Sequence, residues 1–211
     1  SDDVSGHGDI LNAIAYHSER QDSHYWKKGT SSAEKFTLAF WVKATKTGTH
    51  ICEIRDNAND RAVSASYTIS SSNTWEHKVV TFPADTTGAI GTGNTKGLSI
   101  YWSLYSGSGY QGASLQTSWG SSATNARYTN QVNNADSTSN NWHLTGVQLE
   151  VGEYDATTIP PFQHDSFGDN FTRCIRYYQD DALYSSGSDT AVMEALLTAD
   201  GGNFRHLWKQ F

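Results

Sequence analysis

Between Lys35 and Lys46 the chain reads KFTLAFWVKATK, and its apolar positions recur every second residue. Phe36, Leu38, Phe40 and Val42 fall on one side; Thr37, Ala39, Trp41 and Lys43 fall on the other. A period of two with β-branched and aromatic content predicts a half-buried β-strand. The TKTGT segment at 45–49 reads as a tight turn around Gly48, and residues 50–55 read as a second strand. This pair predicts a hairpin at the centre of an all-β sandwich.

The same period continues downstream. Residues 61–70 place Val63, Ala65, Tyr67 and Ile69 on one face, and WEHKVVTF at 75–82 is a further strand stopped by Pro83, which cannot donate to a ladder. In LSIYWSLY (98–105), Leu98, Ile100, Trp102 and Leu104 point inward, while Tyr101 and Tyr105 stand on the polar face. WHLTGVQLEV at 142–151 closes the sheet, with Val147, Leu149 and Val151 alternating against Gln148 and Glu150. Residues 152–163 are irregular, because Pro160 and Pro161 exclude a central strand. Phe171, Cys174, Ile175 and Tyr178 recur at helical spacing and predict a short helix over 169–179, and Asp189 is placed to cap a second one running to Ala199. Upstream, Ile10, Leu11, Ala13, Ile14 and Ala15 form a short apolar patch whose spacing is helical rather than alternating. The expected organisation is a lead-in segment (1–24), an antiparallel jelly-roll β-sandwich (25–165) and a short, partly helical C-terminal extension (166–211).

Residues 106–141 are rich in Gly, Ser, Asn, Thr and Gln and carry Tyr110, Trp119 and Tyr128. A connection this long inside a compact domain is functional, disordered or partly hidden strand. Large rings among small polar residues suit an adaptable binding surface. The plainer alternative is a connection with one or two weak strands and Trp119 tucked into the sandwich.

Composition sharpens this reading. Only 36% of the 211 residues are hydrophobic, but 12% are aromatic, including 7 Trp and 11 Tyr, so large rings must build much of the core. Charged residues amount to 18%, which leaves a coat of neutral polar groups. A net charge of −7 with no Lys/Arg cluster argues against a nucleic-acid partner. No apolar run is long enough to span a membrane. No secretory leader is legible, and an opening Ser1 reads as a processed or excised piece. Cys52 and Cys174 are compatible with one bridge or with two buried thiols.

Catalytic chemistry finds little support. His50 and Cys52, at i and i+2 on one strand face, would be half a zinc site, but no second pair of similar spacing follows. His77 and His143 lie in predicted strands with no paired acid visible. Asp56 and Asp60 raise the question of calcium in the DNANDR turn; Ala58 and the lack of a following Gly and Glu break the EF-hand loop pattern. Glu53, Glu76, Glu150, Glu153 and Asp155 offer carboxylates of the kind glycoside hydrolysis uses, as any chain with 22 acidic residues would. No nucleophile elbow, HExxH or phosphate loop occurs. The expectation is a non-enzyme without a required cofactor.

The segments FTLAFWVKATKTGTH, YTISSSNTWEHKVVTFPADTTG and LTGVQLEVGEYDATTIPPFQHDSFGDNFTRCIRYYQ together resemble the jelly-roll modules of tailed-bacteriophage virion proteins, tail fibres among them. The resemblance runs from about Tyr25 to Gln179. It implies a carbohydrate-binding-module-like sandwich in a virion appendage, assembled with other virion proteins as a homotrimer. It carries over no individual ligand residue. Composition adds the candidates for contact with host cell-surface glycan: Tyr101, Tyr105, Tyr110, Trp119 and Tyr128. Leu207, Trp208 and Phe211, in the basic and aromatic ending FRHLWKQF, are candidates for a subunit interface. Two further readings stand beside this one. The first is a purely architectural adaptor, head-fibre or decoration protein with no ligand. The second is the carbohydrate-binding module of a larger depolymerase or hydrolase.

Overall fold

The computed structural model describes residues 10–19, 26–90, 96–112, 114–122 and 125–174. The chain divides into two compact units, residues 1–162 and 163–211. The first unit is β-rich: β1 (Ile10–Glu19), β2 (Phe36–Ala44), β3 (Gly48–Asp56), β4 (Arg61–Ile69), β5 (Glu76–Phe82), β6 (Lys96–Ser106), the two-residue β7 (Gly120–Ser121) and β8 (Trp142–Val151). They form two antiparallel sheets, a five-stranded one in the order β1-β6-β3-β4-β7 and a three-stranded one in the order β5-β2-β8.

Alternation predicted the inward faces correctly. Phe36, Leu38, Phe40 and Val42 of β2 are buried against Cys52 and Ile54 of β3, Val63, Tyr67 and Ile69 of β4, and Leu98, Ile100 and Trp102 of β6. Rings knit the two sheets edge to face: Phe40 meets Tyr67 and Trp102 with centroids 5.1 and 5.6 Å apart, and Trp26 meets Phe36 at 4.9 Å. Such pairs add to the burial of their area, so a modest aliphatic content suffices.

Two expectations are corrected by the pairing. β2 and β3 are not a hairpin: β2 lies between β5 and β8, while β3 lies between β4 and β6 in the other sheet. Both strands carry a core-facing apolar row, and placing them in opposite sheets lets the two rows pack against each other. The hairpin is instead β3–β4, closed by the DNANDR turn, where Asp56 Oδ1 accepts from the Ala58 and Asn59 amides and Asp60 takes φ 51°. The apolar patch at 10–15 is the start of strand β1, paired antiparallel with β6, rather than a helical turn. Its spacing was a local signal, and the free edge of β6 overrode it.

The described residues between 107 and 134 bond to the five-stranded sheet. Gln116 accepts from the Ser64 amide, Val132 donates to Thr49 and Asn134 donates to Leu104. Arg127 of this segment meets the buried Glu53 on the non-core side of β3, and Gln116 and β7 cover the edge of β4 that would otherwise present unpaired backbone groups.

In the second unit, α1 (Phe167–Cys174) is a short helix opened by Ser166, whose Oγ accepts from the Asp169 amide at 3.2 Å and donates to its carboxylate at 2.7 Å. It begins two residues before the expected start. Ile175, Tyr178, the second helix from Asp189 and the interface candidates Leu207, Trp208 and Phe211 lie outside the described residues.

Candidate functional site

The five aromatic residues expected to bind glycan do not form one surface. Tyr128 is fully buried. Its hydroxyl accepts from Arg127 Nη2 at 3.0 Å, and its ring lies 5.1 Å from the guanidinium carbon. Arg127 also forks onto Glu53, with Nε 2.5 Å from Oε2 and Nη2 against Oε1, and donates from Nη1 to the Ser122 carbonyl. Burial pushes the Glu53 carboxyl up, and Arg127 works against that push. At Arg127 burial opposes the charge, but the Glu53 carboxylate outweighs it and holds the guanidinium above its ordinary value. Tyr110 closes this group from a 3₁₀ turn at 108–110, its ring 6.1 Å from that of Tyr128. Tyr101 is half-buried on β6, paired with Glu53 on one side and Ala15 on the other.

Trp119 belongs to a second buried cluster. Its Nε1 donates to the Pro83 carbonyl at 2.8 Å and its ring lies 4.9 Å from the Lys28 ammonium. Lys28 in turn sits 2.5 Å from Asp56 and 2.8 Å from Asp85, and Arg61 grips Asp85 through Nε and Nη2, both at 2.8 Å. At Asp85 burial raises the carboxyl, but the two cations outweigh it and hold it below its usual range. This is a brace tying the β3–β4 turn to the segment after β5. Trp119 is partly buried and packs against the core cluster. The two carboxylates considered for calcium are engaged by the protein itself: Asp56 by Lys28 and Asn59, Asp60 by Arg55 and Ser122.

Both residues of the suspected zinc half-site are buried. His50 is buried, stacked 5.5 Å from Tyr67, with Nε2–H donating to the Lys46 carbonyl and Nδ1 accepting from Asn134. Burial holds its pKa below the ordinary value. Cys52 is a free, buried thiol. Among the described residues no three His, Cys, Asp or Glu side chains are placed to hold a metal.

Two exposed indoles lie elsewhere, on the outer face of the three-stranded sheet; the other exposed large hydrophobic rings among the described residues are Phe162, Phe167 and Phe171. Trp41 and Trp75 are 44% and 42% exposed. Register places Trp41 of β2 beside His77 of β5 and Thr145 of β8, and Lys43 beside His143. The Trp41 and His77 rings stack at 5.1 Å, Trp75 meets His143 at 6.3 Å, and the Lys43 ammonium lies 5.3 Å from the Trp75 ring. A β-bulge builds this face. Ala39 pairs with Gln148 but Trp41 with Thr145, and Gly146 at φ 57° absorbs the extra residue. The bulge moves the inward phase of β8 from Trp142 and Leu144 to Val147, Leu149 and Val151.

Two indoles left half-exposed on a flat sheet, each flanked by an imidazole, offer broad ring faces with polar groups at their margins. Such a face suits a ligand with both C–H and O–H surfaces. The signal for it was legible: Trp41 occupies the polar phase of its strand, where alternation gives a large ring no reason to be. Comparison with known proteins finds no matching family model and no curated protein or solved structure significantly similar to this chain.

Proposed function

We propose that this chain is a non-enzymatic structural protein of a bacteriophage virion appendage, a tail fibre or similar, that contacts host cell-surface glycan through the Trp41/Trp75 face. The exposed aromatic face carries this reading. Indole faces stack on the C–H side of sugar rings, while His77, His143, Thr145 and Lys43 supply hydrogen-bonding groups beside them. The neutral polar composition and the resemblance of residues 25–179 to virion modules support the setting.

The jelly-roll description belongs to the same proposal. It is supported by a chain that crosses repeatedly between the sheets, β1 in one, β2 in the other, β3 and β4 back in the first, then β5, β6 and β8 alternating. As a homotrimer the protein would present three such faces, and weak single contacts would add through multivalency.

The test is a screen of the purified chain against bacterial polysaccharides and lipopolysaccharides, run beside its mass in solution. Saturable binding that disappears in the Trp41→Ala/Trp75→Ala double variant supports the reading. A variant that keeps full binding overturns the assignment of this face. If no polysaccharide binds and the double variant changes the oligomeric mass, the face is a subunit contact and the role is architectural.

A further inference from the structure

We propose that the ligand of the Trp41/Trp75 face is anionic, and that Lys43 receives its carboxylate or phosphate group. The inference rests on the assignment of that face as a binding surface and adds the charge of what it binds.

Lys43 is the exception among the described cations. Every other lysine or arginine whose side chain the structure describes has a carboxylate oxygen within 3.4 Å. The pairing holds for a fully buried ammonium such as Lys28 and for an exposed one such as Lys35, so it does not depend on depth. Lys43 has no carboxylate partner among the described residues, and its ammonium lies 5.3 Å from the Trp75 ring. With 22 acidic residues against 15 basic ones, an unmatched ammonium does not come from a shortage of carboxylates.

Strand register puts this charge among the rings. Lys43 follows Trp41 by two residues on the outward phase of β2 and pairs with His143 of β8. Trp75 also meets His143 at 6.3 Å, so indole, ammonium and imidazole share one corner of the sheet. The carboxylates of the flanking strands are kept away from it. Glu76 pairs with Val42 on the inward phase, where Lys78 and the Ser70 and Ser71 amides hold it. Glu150 pairs with Thr37, six residues along β2 from Lys43, about 20 Å at the ordinary rise of a strand.

The ligand's charge follows from this arrangement. A half-buried ammonium has given up part of its hydration, and contact with an indole face returns only part of that. An oxyanion completes the compensation, because N⁺–H···O⁻ bonds are roughly twice as strong as neutral ones. The N–H groups of His77 and His143 are further donors beside the rings. A cationic group would meet Lys43 with no carboxylate at hand, and a neutral ligand would leave the ammonium unmatched. Carboxylate and phosphate offer the same acceptor oxygens, so the shared chemistry is an oxyanion on a ligand whose rings stack on the indoles.

The test compares charged and uncharged forms of one backbone, titrated into the purified full chain. Polygalacturonate against its methyl ester isolates the carboxylate, and a phosphomannan against the same mannan after phosphate removal isolates the phosphate. The charged form of one pair should bind about tenfold or more tightly than its uncharged form, an advantage that shrinks between about 0.05 and about 0.5 M salt. The pair that shows it identifies the anion. Lys43→Gln should erase the advantage and Lys43→Arg should keep it, while Trp41→Ala/Trp75→Ala should lose binding altogether. If the double tryptophan variant binds like the parent chain, the assignment of the face fails and this inference with it. If that variant loses binding but charged and uncharged forms bind alike, or Lys43→Gln keeps the advantage, the anion inference alone is overturned. Failure of every form to bind overturns it as well.

Discussion

At the scale of single residues, the strongest constraints are buried charges that were invisible along the chain. Glu53 reads as an outward position of a half-exposed strand, yet it is fully buried and bonded by Arg127. Arg127, which meets it, is 74 residues away in a segment with no regular pattern. Removing one member of such a pair strands the other. Arg127→Met should therefore destabilise the fold by about 3–5 kcal/mol, and Glu53→Leu/Arg127→Met should recover most of that loss. Urea unfolding of the three proteins checks this, and a double variant as unstable as the single one would show that the ion pair is needed in its own right.

His50 sets a pH dependence. Burial depresses its pKa, so it stays neutral in the fold, whereas the unfolded chain takes up a proton near its ordinary value of about 6.5. Below that pH the unfolded state binds more protons, and stability contributed by neutral His50 is lost as pH falls toward the folded-state pKa. The stability gap between the wild type and His50→Asn should narrow between about pH 7.5 and about pH 5.5. A gap constant over that window would mean that His50 does not titrate differently in the two states.

At the scale of elements, β2, β4, β5, β6 and β8 were legible because each alternates on its own, and a period of two is a local property. β1 was not, since its apolar residues cluster and only the open edge of β6 makes a strand of them. The bulge in β8 lies between these cases. A glycine inside a strand pattern is a signal for one, but which side chain the bulge re-aims depends on the partner strand. Gly146 occupies the left-handed region, and a Cβ there would lie 3.1 Å from Trp41 Cδ1. Gly146→Ala should cost about 1–2 kcal/mol and shift the Trp41 indole resonance. Unchanged stability together with an unmoved indole would show that the bulge is not what positions Trp41.

At the scale of the whole molecule, residues 1–162 contain every described strand and the entire described core. A chain ending after Phe162 should retain a cooperative thermal transition and keep the Cys52 thiol unreactive until it unfolds. Loss of the transition would show that the sandwich depends on the second unit. The amino-acid sequence alone determined the class of structure, the main strand segments and which side of each faces inward, because these follow from local periodicity and the chemistry of neighbouring residues. Tertiary structure decided which strands pair, that β2 and β3 lie in different sheets, that Tyr128 is buried and Trp119 partly so, and that Trp41 and Trp75 remain exposed. Those outcomes depend on which distant segment covers each face. The described residues between 107 and 134 bond to one sheet, while the other leaves its two indoles half-exposed.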